Sequence, residues 1–283
     1  MLKLKKLATA AFAAGTMATT VPASAVIVGG IDFGALGAFS HIETATLAAT
    51  VAFSAGDVST SYGLISTVNG DATYCADGSA NCSLYFIVNN TVSAAAAGTL
   101  YFSGTDITVY YSGAPAINLL GQNSLLNLAF IGGLTPWATL NGENGVDPSA
   151  AGLVSDTRVL QSLLGASISV TGGGLLSVDT ADGTGIPAVE AFLNANTIPT
   201  FTGSFADIAY TESASNLVLN PFDLAGPLAD SCTTIAPTVG DWCLAGSADL
   251  RGATVVPTPG TLALLGLGLL GVGVTRRRAA GKK

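Results

Sequence analysis

The sequence predicts a mainly β protein. It reads as a single β-sandwich or jelly-roll-like ectodomain with a few short helices, set between an N-terminal leader and one C-terminal membrane helix. Three observations carry this. The stretch between Val26 and Val256 is rich in Thr, Ser, Val, Gly and aromatic residues and almost lacks the long charged side chains that build surface helices. Short runs of alternating apolar and polar residues recur along it. No Pro/Ser-rich linker or repeat period divides it, so its length suits one domain with a sizeable core.

The elements follow in chain order. Leu47, Ala49, Val51 and Phe53 alternate with Thr46, Ala48, Thr50 and Ala52, which is a strand with one face buried. Leu84, Phe86 and Val88 alternate with Tyr85, Ile87 and Asn89 in the same way. From Thr99 to Tyr111 the pattern reads as two strands around a turn or bulge at Gly104. Residues 118–131 carry leucines at 119, 120, 125, 126 and 128 and suit a helix. A second helix is expected over 155–164, capped by Ser155 or Asp156. Gly172, Gly173 and Gly174 between apolar runs suit a hairpin. Pro187 fits the first turn of a short helix ending at Asn194. Phe205 to Thr211 and Leu217 to Leu219 are further strand candidates.

Both ends of the chain read as addresses. Lys3, Lys5 and Lys6 precede an apolar, alanine-rich run from Leu7 to Val21, and Ala23-Ser24-Ala25 is a small-residue cleavage site. Residues 1–25 are therefore expected to be a signal peptide, and the mature chain to begin at Val26. At the other end, Pro257-Thr258-Pro259-Gly260 precedes an uncharged run from Thr261 to Val274, followed by Arg276, Arg277 and Arg278. The run spans about 21 Å as a helix, against a hydrocarbon core of about 30 Å. The arginines favour the cytoplasmic side and place the body of the chain outside. Gly266, Gly268 and Gly271 match a dinucleotide-binding pattern, but no strand precedes them and no acidic residue follows.

This tail, PTPGTLALLGLGLLGVGVTRRRAAGKK, resembles a PEP-CTERM sorting signal: a Pro-Glu-Pro motif, a transmembrane helix and an arginine cluster at the extreme C-terminus. Thr258 stands where that family usually has Glu. The resemblance implies a motif at 257–260, a transmembrane helix over 261–275 and a basic tail over 276–283, with 26–254 as the acidic ectodomain. It also implies an exosortase-type processing protease as partner, after signal peptidase and the general secretion machinery. The setting implied is a Gram-negative bacterium that makes exopolysaccharide, with an inner-membrane-anchored intermediate and then a cell-surface or extracellular form. The stretch Ala191 to Asn216 and the segment from Cys75 to Cys82 are similar to ectodomains of some flocculation-associated members of that family.

Charge excludes one class of partner. All 18 acids lie between Asp32 and Asp249; from Val26 to Val256 the only cations are Arg158 and Arg251, giving that stretch a net charge of −16. Such a surface repels nucleic acid and anionic lipid. The four cysteines allow three pairings; the local one, Cys75–Cys82 and Cys232–Cys243, brackets two turn-rich segments and fits an exported chain.

A catalytic set is not visible, and no enzyme is expected. His41 is the sole histidine, without a Gly-x-Ser-x-Gly elbow, and reads as a surface or edge residue. Glu43, Glu143, Glu190 and Glu212 are candidates for a glycosidase pair, yet nothing singles out two of them. With no Cys-x-x-Cys and one histidine, no zinc ligand set is assigned, so no metal and no cofactor is expected. The Gly-rich loops 141–147 and 179–183 offer oxygen ligands of the kind calcium accepts, though neither has the EF-hand spacing. Trp137, in a loop-like Gly-Leu-Thr-Pro-Trp context, and Trp242 are candidate carbohydrate contacts, and adjacent Tyr110 and Tyr111 must point to opposite faces of any strand. The reading is a structural or adhesive surface or matrix protein in an exopolysaccharide-associated biofilm or floc. A secreted carbohydrate-binding module and a secreted polysaccharide hydrolase are the alternatives.

Overall fold

Fourteen strands order the described chain, and eight of them close on themselves. The computed structural model describes residues 25–34, 39–96, 98–143, 157–164, 167–216 and 237–254. The first half carries β1 (Ile27–Val28), β2 (Ile31–Asp32), β3 (Phe39–Thr50), β4 (Val58–Leu64), β5 (Thr67–Val68), β6 (Ser83–Ala96) and β7 (Thr99–Ser112). Helix α1 (Ser124–Gly132) follows, then β8 (Thr135–Gly142), β9 (Thr157–Leu164), β10 (Ser167–Val178) and helix α2 (Pro187–Leu193). The last strands are β11 (Ile198–Pro199), β12 (Phe205–Ala206), β13 (Ile208–Ser215) and β14 (Trp242–Ala253).

The ring runs β3-β4-β6-β7-β8-β10-β13-β14 and returns to β3, antiparallel throughout. The pairing of β10 with β13 makes the closure, so the protein is mainly β as expected but a closed eight-stranded barrel. Closure removes the two open edges a sandwich would have to protect. One stave of the barrel is built from two strands. β8 covers Asp106 to Tyr111 of β7, and β9 covers Thr99 to Phe102. On the other side, β8 pairs with Leu176 to Val178 of β10 and β9 with Ser167 to Gly174.

Eight strands leave an interior just wide enough for side chains to fill. Leu84, Phe86 and Val88 of β6, Ile107 and Val109 of β7, Leu176 of β10 and Leu250 of β14 fill it from the walls. A second apolar layer lies outside, where Ala48, Tyr62, Tyr85, Trp242 and Ala245 meet Leu119 and Ile131. Trp242 reaches that layer through a bulge at Cys243, which reverses the in-out alternation of β14. Helix α1 docks there by its buried Ile131 and by a polar hub. The buried Tyr62 hydroxyl donates to Ser124 Oγ at 3.1 Å and accepts from Asn127 Nδ2 at 3.0 Å.

The N-terminal segment packs into the barrel core. Phe33 stacks on Trp137 and tilts against Phe192 of α2, with ring centroids 6.2 and 4.8 Å apart. Gly29 has φ +58°, and a Cβ there would lie 2.3 Å from Val189 and 2.5 Å from Trp137, so this turn accepts only glycine. The Cys75–Cys82 disulfide closes the neighbouring loop, which is stitched to the segment by Asp32 N–H to Tyr74 O and Ala76 N–H to Gly30 O.

Several local expectations change. The helix expected over 155–164 is strand β9 where it is described, because both β7 and β10 present free backbone groups to it. Gly172 to Gly174 form no hairpin; they run straight through β10 opposite Glu212, Thr211 and Tyr210. A Cβ on Gly173 would lie 2.3 Å from the Tyr210 carbonyl oxygen, so glycine here permits close strand packing, not a turn. The helix expected over 118–131 splits into a single 3₁₀ turn, Leu119–Gly121, and α1, each with its own asparagine cap, Asn118 and Asn123. Thr99 to Ser112 is one strand with a bulge at Gly104, φ +62°. The helix beginning at Pro187 stands. Ala25–Val255 is one compact unit. Among the described residues no helix is long and apolar enough to cross a membrane. The leader through Ser24, the segment 217–219 and the whole tail from 257 to 283 lie outside the described residues.

Candidate functional site

Among the described residues, a close group of His, Glu and Asp side chains lies on the outer face of the barrel, where β3 and β14 pair. In β3 the inward Ile42 turns its neighbours His41 and Glu43 outward. In β14 the inward Leu250 does the same for Asp249 and Arg251. Register then sets Glu43 opposite Asp249 and His41 opposite Arg251. Asn69, itself at φ +51°, pins His41: its side-chain oxygen accepts the His41 N–H at 2.8 Å and its N–H donates to the His41 carbonyl at 2.6 Å.

His41 Nε2 stands 2.6 Å from Asp249 Oδ1 and 3.1 Å from Glu43 Oε1. The second oxygen of each carboxylate is already engaged. Asp249 Oδ2 accepts from Arg251 Nε at 2.7 Å with Nη2 at 2.6 Å, and Glu43 Oε2 accepts from Thr67 Oγ1 at 2.8 Å. His41 Nε2 and Asp249 Oδ1 are shielded from solvent and meet as an ion-pair contact rather than in a hydrogen bond of standard geometry. Glu43 and Asp249 also line a broad solvent-open groove of about 990 Å³, whose other walls include Ser66, Thr67, Thr211, Ser213 and Ser247. Its floor is the hydroxyl-rich outer face of β13 and β14.

The other glutamates are separate. Glu212 points into the barrel, where its Oε2 accepts from the buried Tyr210 hydroxyl. Burial raises the Glu212 carboxyl above the usual range, the Tyr210 bond opposing it, and burial pushes the Tyr210 hydroxyl well up as well. Glu190, on α2, is 3% exposed, and burial, then the nearby Asp182, raises it. Glu143 accepts from Ser177 Oγ at 3.1 Å and Ser204 Oγ at 2.7 Å. The raised carboxyls are thus Glu212 in the barrel, Glu190 under α2 and Asp106 on the outer face of β7, which partial burial and then Asp182 raise; in the groove, Thr67 holds one oxygen of Glu43 and Arg251 one oxygen of Asp249.

The two oxygen-rich loops come side by side: Asn141 Nδ2 donates to Asp179 Oδ2 at 2.7 Å. Asp179 Oδ1 accepts the N–H groups of Ala181 and Asp182, and Asp182 Oδ1 accepts that of Thr184, so these carboxylates serve their own turn. Residues 144–147 of the other loop lie outside the described residues.

The two tryptophans expected as sugar contacts are core residues. Trp137 lies in strand β8, not a loop; it is fully buried and donates from Nε1 to Gly29 O at 2.9 Å. Trp242 is 7% exposed and packs edge-on against Tyr62, centroids 5.2 Å apart. Neither offers a ring face to a ligand. Tyr110 and Tyr111 do point to opposite faces, one toward the outer layer and one toward the barrel core. Cys75 and Cys82 are bonded, and Cys243 is also in a disulfide; the only cysteine left for it, Cys232, lies outside the described residues.

Sequence reasoning treated His41 singly. Its partners Glu43 and Asp249 are two and 208 positions away, and only the β3–β14 register joins them. The alternation around Ile42 was a signal that His41 and Glu43 share a face; nothing comparable pointed to Asp249. No family model, no curated protein and no solved structure matches the chain.

Proposed function

We propose that the chain is an exported cell-surface or matrix protein with a structural and adhesive role, touching exopolysaccharide through the hydroxyl-lined groove on β13 and β14. The leader ending at Ala25 and the tail from Pro257 onward support export and exosortase sorting in a Gram-negative bacterium, with signal peptidase and an exosortase-type protease as processing partners. In this reading residues 261–275 form the temporary membrane helix, and Arg276 to Arg278 hold it on the cytoplasmic side.

The groove is the observation that carries the adhesive part. Thr211, Ser213 and Ser247 are exposed, short and aligned across two strands, and Glu43 and Asp249 add acceptors at one end. A polysaccharide presents rows of hydroxyls that donate and accept, and such a wall answers them without a deep pocket. A retaining or inverting glycosidase needs a free acid beside a second carboxylate in the cleft; Thr67 holds one oxygen of Glu43 and Arg251 one oxygen of Asp249, which favours adhesion over hydrolysis.

The test is co-sedimentation of the intact protein with the producer's own exopolysaccharide. Replacing Thr211, Ser213 and Ser247 together with alanine is expected to weaken retention about tenfold while leaving thermal stability unchanged. Retention unaltered by the triple substitution, or release of reducing sugar by the parent protein, contradicts the reading.

A further inference from the structure

We propose that His41, Glu43 and Asp249 form a binding site for one divalent transition-metal ion of the zinc type. This assignment stands on the side-chain geometry alone and does not depend on polysaccharide contact.

Three atoms able to ligate a metal converge: His41 Nε2, Glu43 Oε1 and Asp249 Oδ1 lie within 4.8 Å of one another. Two are cut off from water and have only their ion-pair contacts, at 2.6 and 3.1 Å, as polar neighbours. Without a proton on Nε2, its lone pair and two carboxylate oxygens at 2.6 and 3.1 Å repel unless a cation sits between them. A proton on Nε2 makes one straight bond and serves one carboxylate. A metal ion serves all three at once.

The surroundings orient the ligands for that task. Arg251 holds Asp249 Oδ2 and Thr67 holds Glu43 Oε2, which leaves Oδ1 and Oε1 as the free acceptors beside the imidazole. Two ligands about 2.1 Å from a tetrahedral ion stand about 3.4 Å apart. Glu43 Oε1 is near that separation from Nε2, and Asp249 Oδ1 reaches it by withdrawing less than about 1 Å. One imidazole and two carboxylates suit zinc or manganese better than calcium, which prefers six to eight oxygens. Three protein ligands leave a coordination position open, and since Glu43 and Asp249 line the groove, water or a ligand hydroxyl from the groove fills it.

The background for a test is low. The chain has no second histidine, and no cysteine among the described residues is free. Metal-stripped intact protein is titrated with Zn²⁺ in competition with a chromophoric chelator, and thermal unfolding is followed with and without Zn²⁺. One equivalent is expected to bind and to raise the melting temperature. His41→Ala and Asp249→Asn are expected to abolish both effects, Thr67→Val to weaken binding about tenfold, and millimolar Ca²⁺ to reproduce neither. Near-ultraviolet circular dichroism from the buried Trp137 and Trp242 reports that each variant is folded. Absence of stoichiometric binding in the parent, or binding unchanged by His41→Ala, overturns the assignment. A folded His41→Ala variant that loses stability in metal-free buffer, beside a parent indifferent to Zn²⁺, overturns it in favour of a protonated ion pair.

Discussion

Glu212 is an acid that points into the barrel. It faces Ala248 and Gly172 across the strands, among apolar walls, and its one named partner is Tyr210. Its carboxyl is raised by burial, so the folded state holds the proton more tightly than the unfolded chain does. Stability from this group is therefore full below the ordinary glutamate range and falls as pH rises through the folded value. Glu212→Gln keeps an acceptor for Tyr210 and removes the charge. It is expected to raise the urea midpoint at pH 7 and to leave it unchanged near pH 4; a gain equal at both pH values, or a loss at pH 7, contradicts the account. The sequence showed Glu212 as one of four glutamate candidates for a catalytic pair, with nothing to mark it as inward-facing. The alternation from Ile208 through Tyr210 to Ala214 contains its inward position, but an acid at an inward site looks the same in sequence as an acid at a strand end.

At the scale of elements, strand alternation was legible where one face is purely apolar, as in Leu84 to Asn89, and illegible where bulges reverse it. β14 shows the second case: Cys243 shifts the register, so Trp242 and Leu244 share parity but face opposite ways. β9 shows a third case, in which residues with helical spacing become a strand because neighbouring backbones stand unpaired. Helix α1 shows how an element of weak amphipathicity is held. Leu125 and Leu126 are exposed, whereas Ser124 and Asn127 are buried against the Tyr62 hydroxyl. Tyr62→Phe removes the hub and leaves buried polar groups without their partner, an expected loss of about 1–3 kcal/mol. Chemical denaturation measures it, and a change within a few tenths of a kcal/mol would mean that apolar packing alone docks the helix.

At the scale of the whole molecule, composition gave the β class and the single body, but not closure. Barrel and sandwich share strand lengths, alternation and turn chemistry; what separates them is one long-range pairing, β10 with β13, across residues that carry three consecutive glycines. The same absence of long-range information hid the joining of His41 and Glu43 to Asp249. Compartment and fold meet at the ends of the body. Val26, the expected first residue of the mature chain, already takes part in the fold, donating its N–H to Gly34 O and accepting from Phe33 N–H. An ammonium at Val26 makes the same donation, so removal of residues 1–25 is compatible with the folded body. The most direct measurement is the intact mass of the native protein, taken separately from membrane and extracellular fractions. The account predicts an extracellular species that begins at Val26 and ends within 257–260. A protein that keeps residues 1–25 or Arg276 to Lys283 in every fraction would contradict sorting, and with it the matrix role.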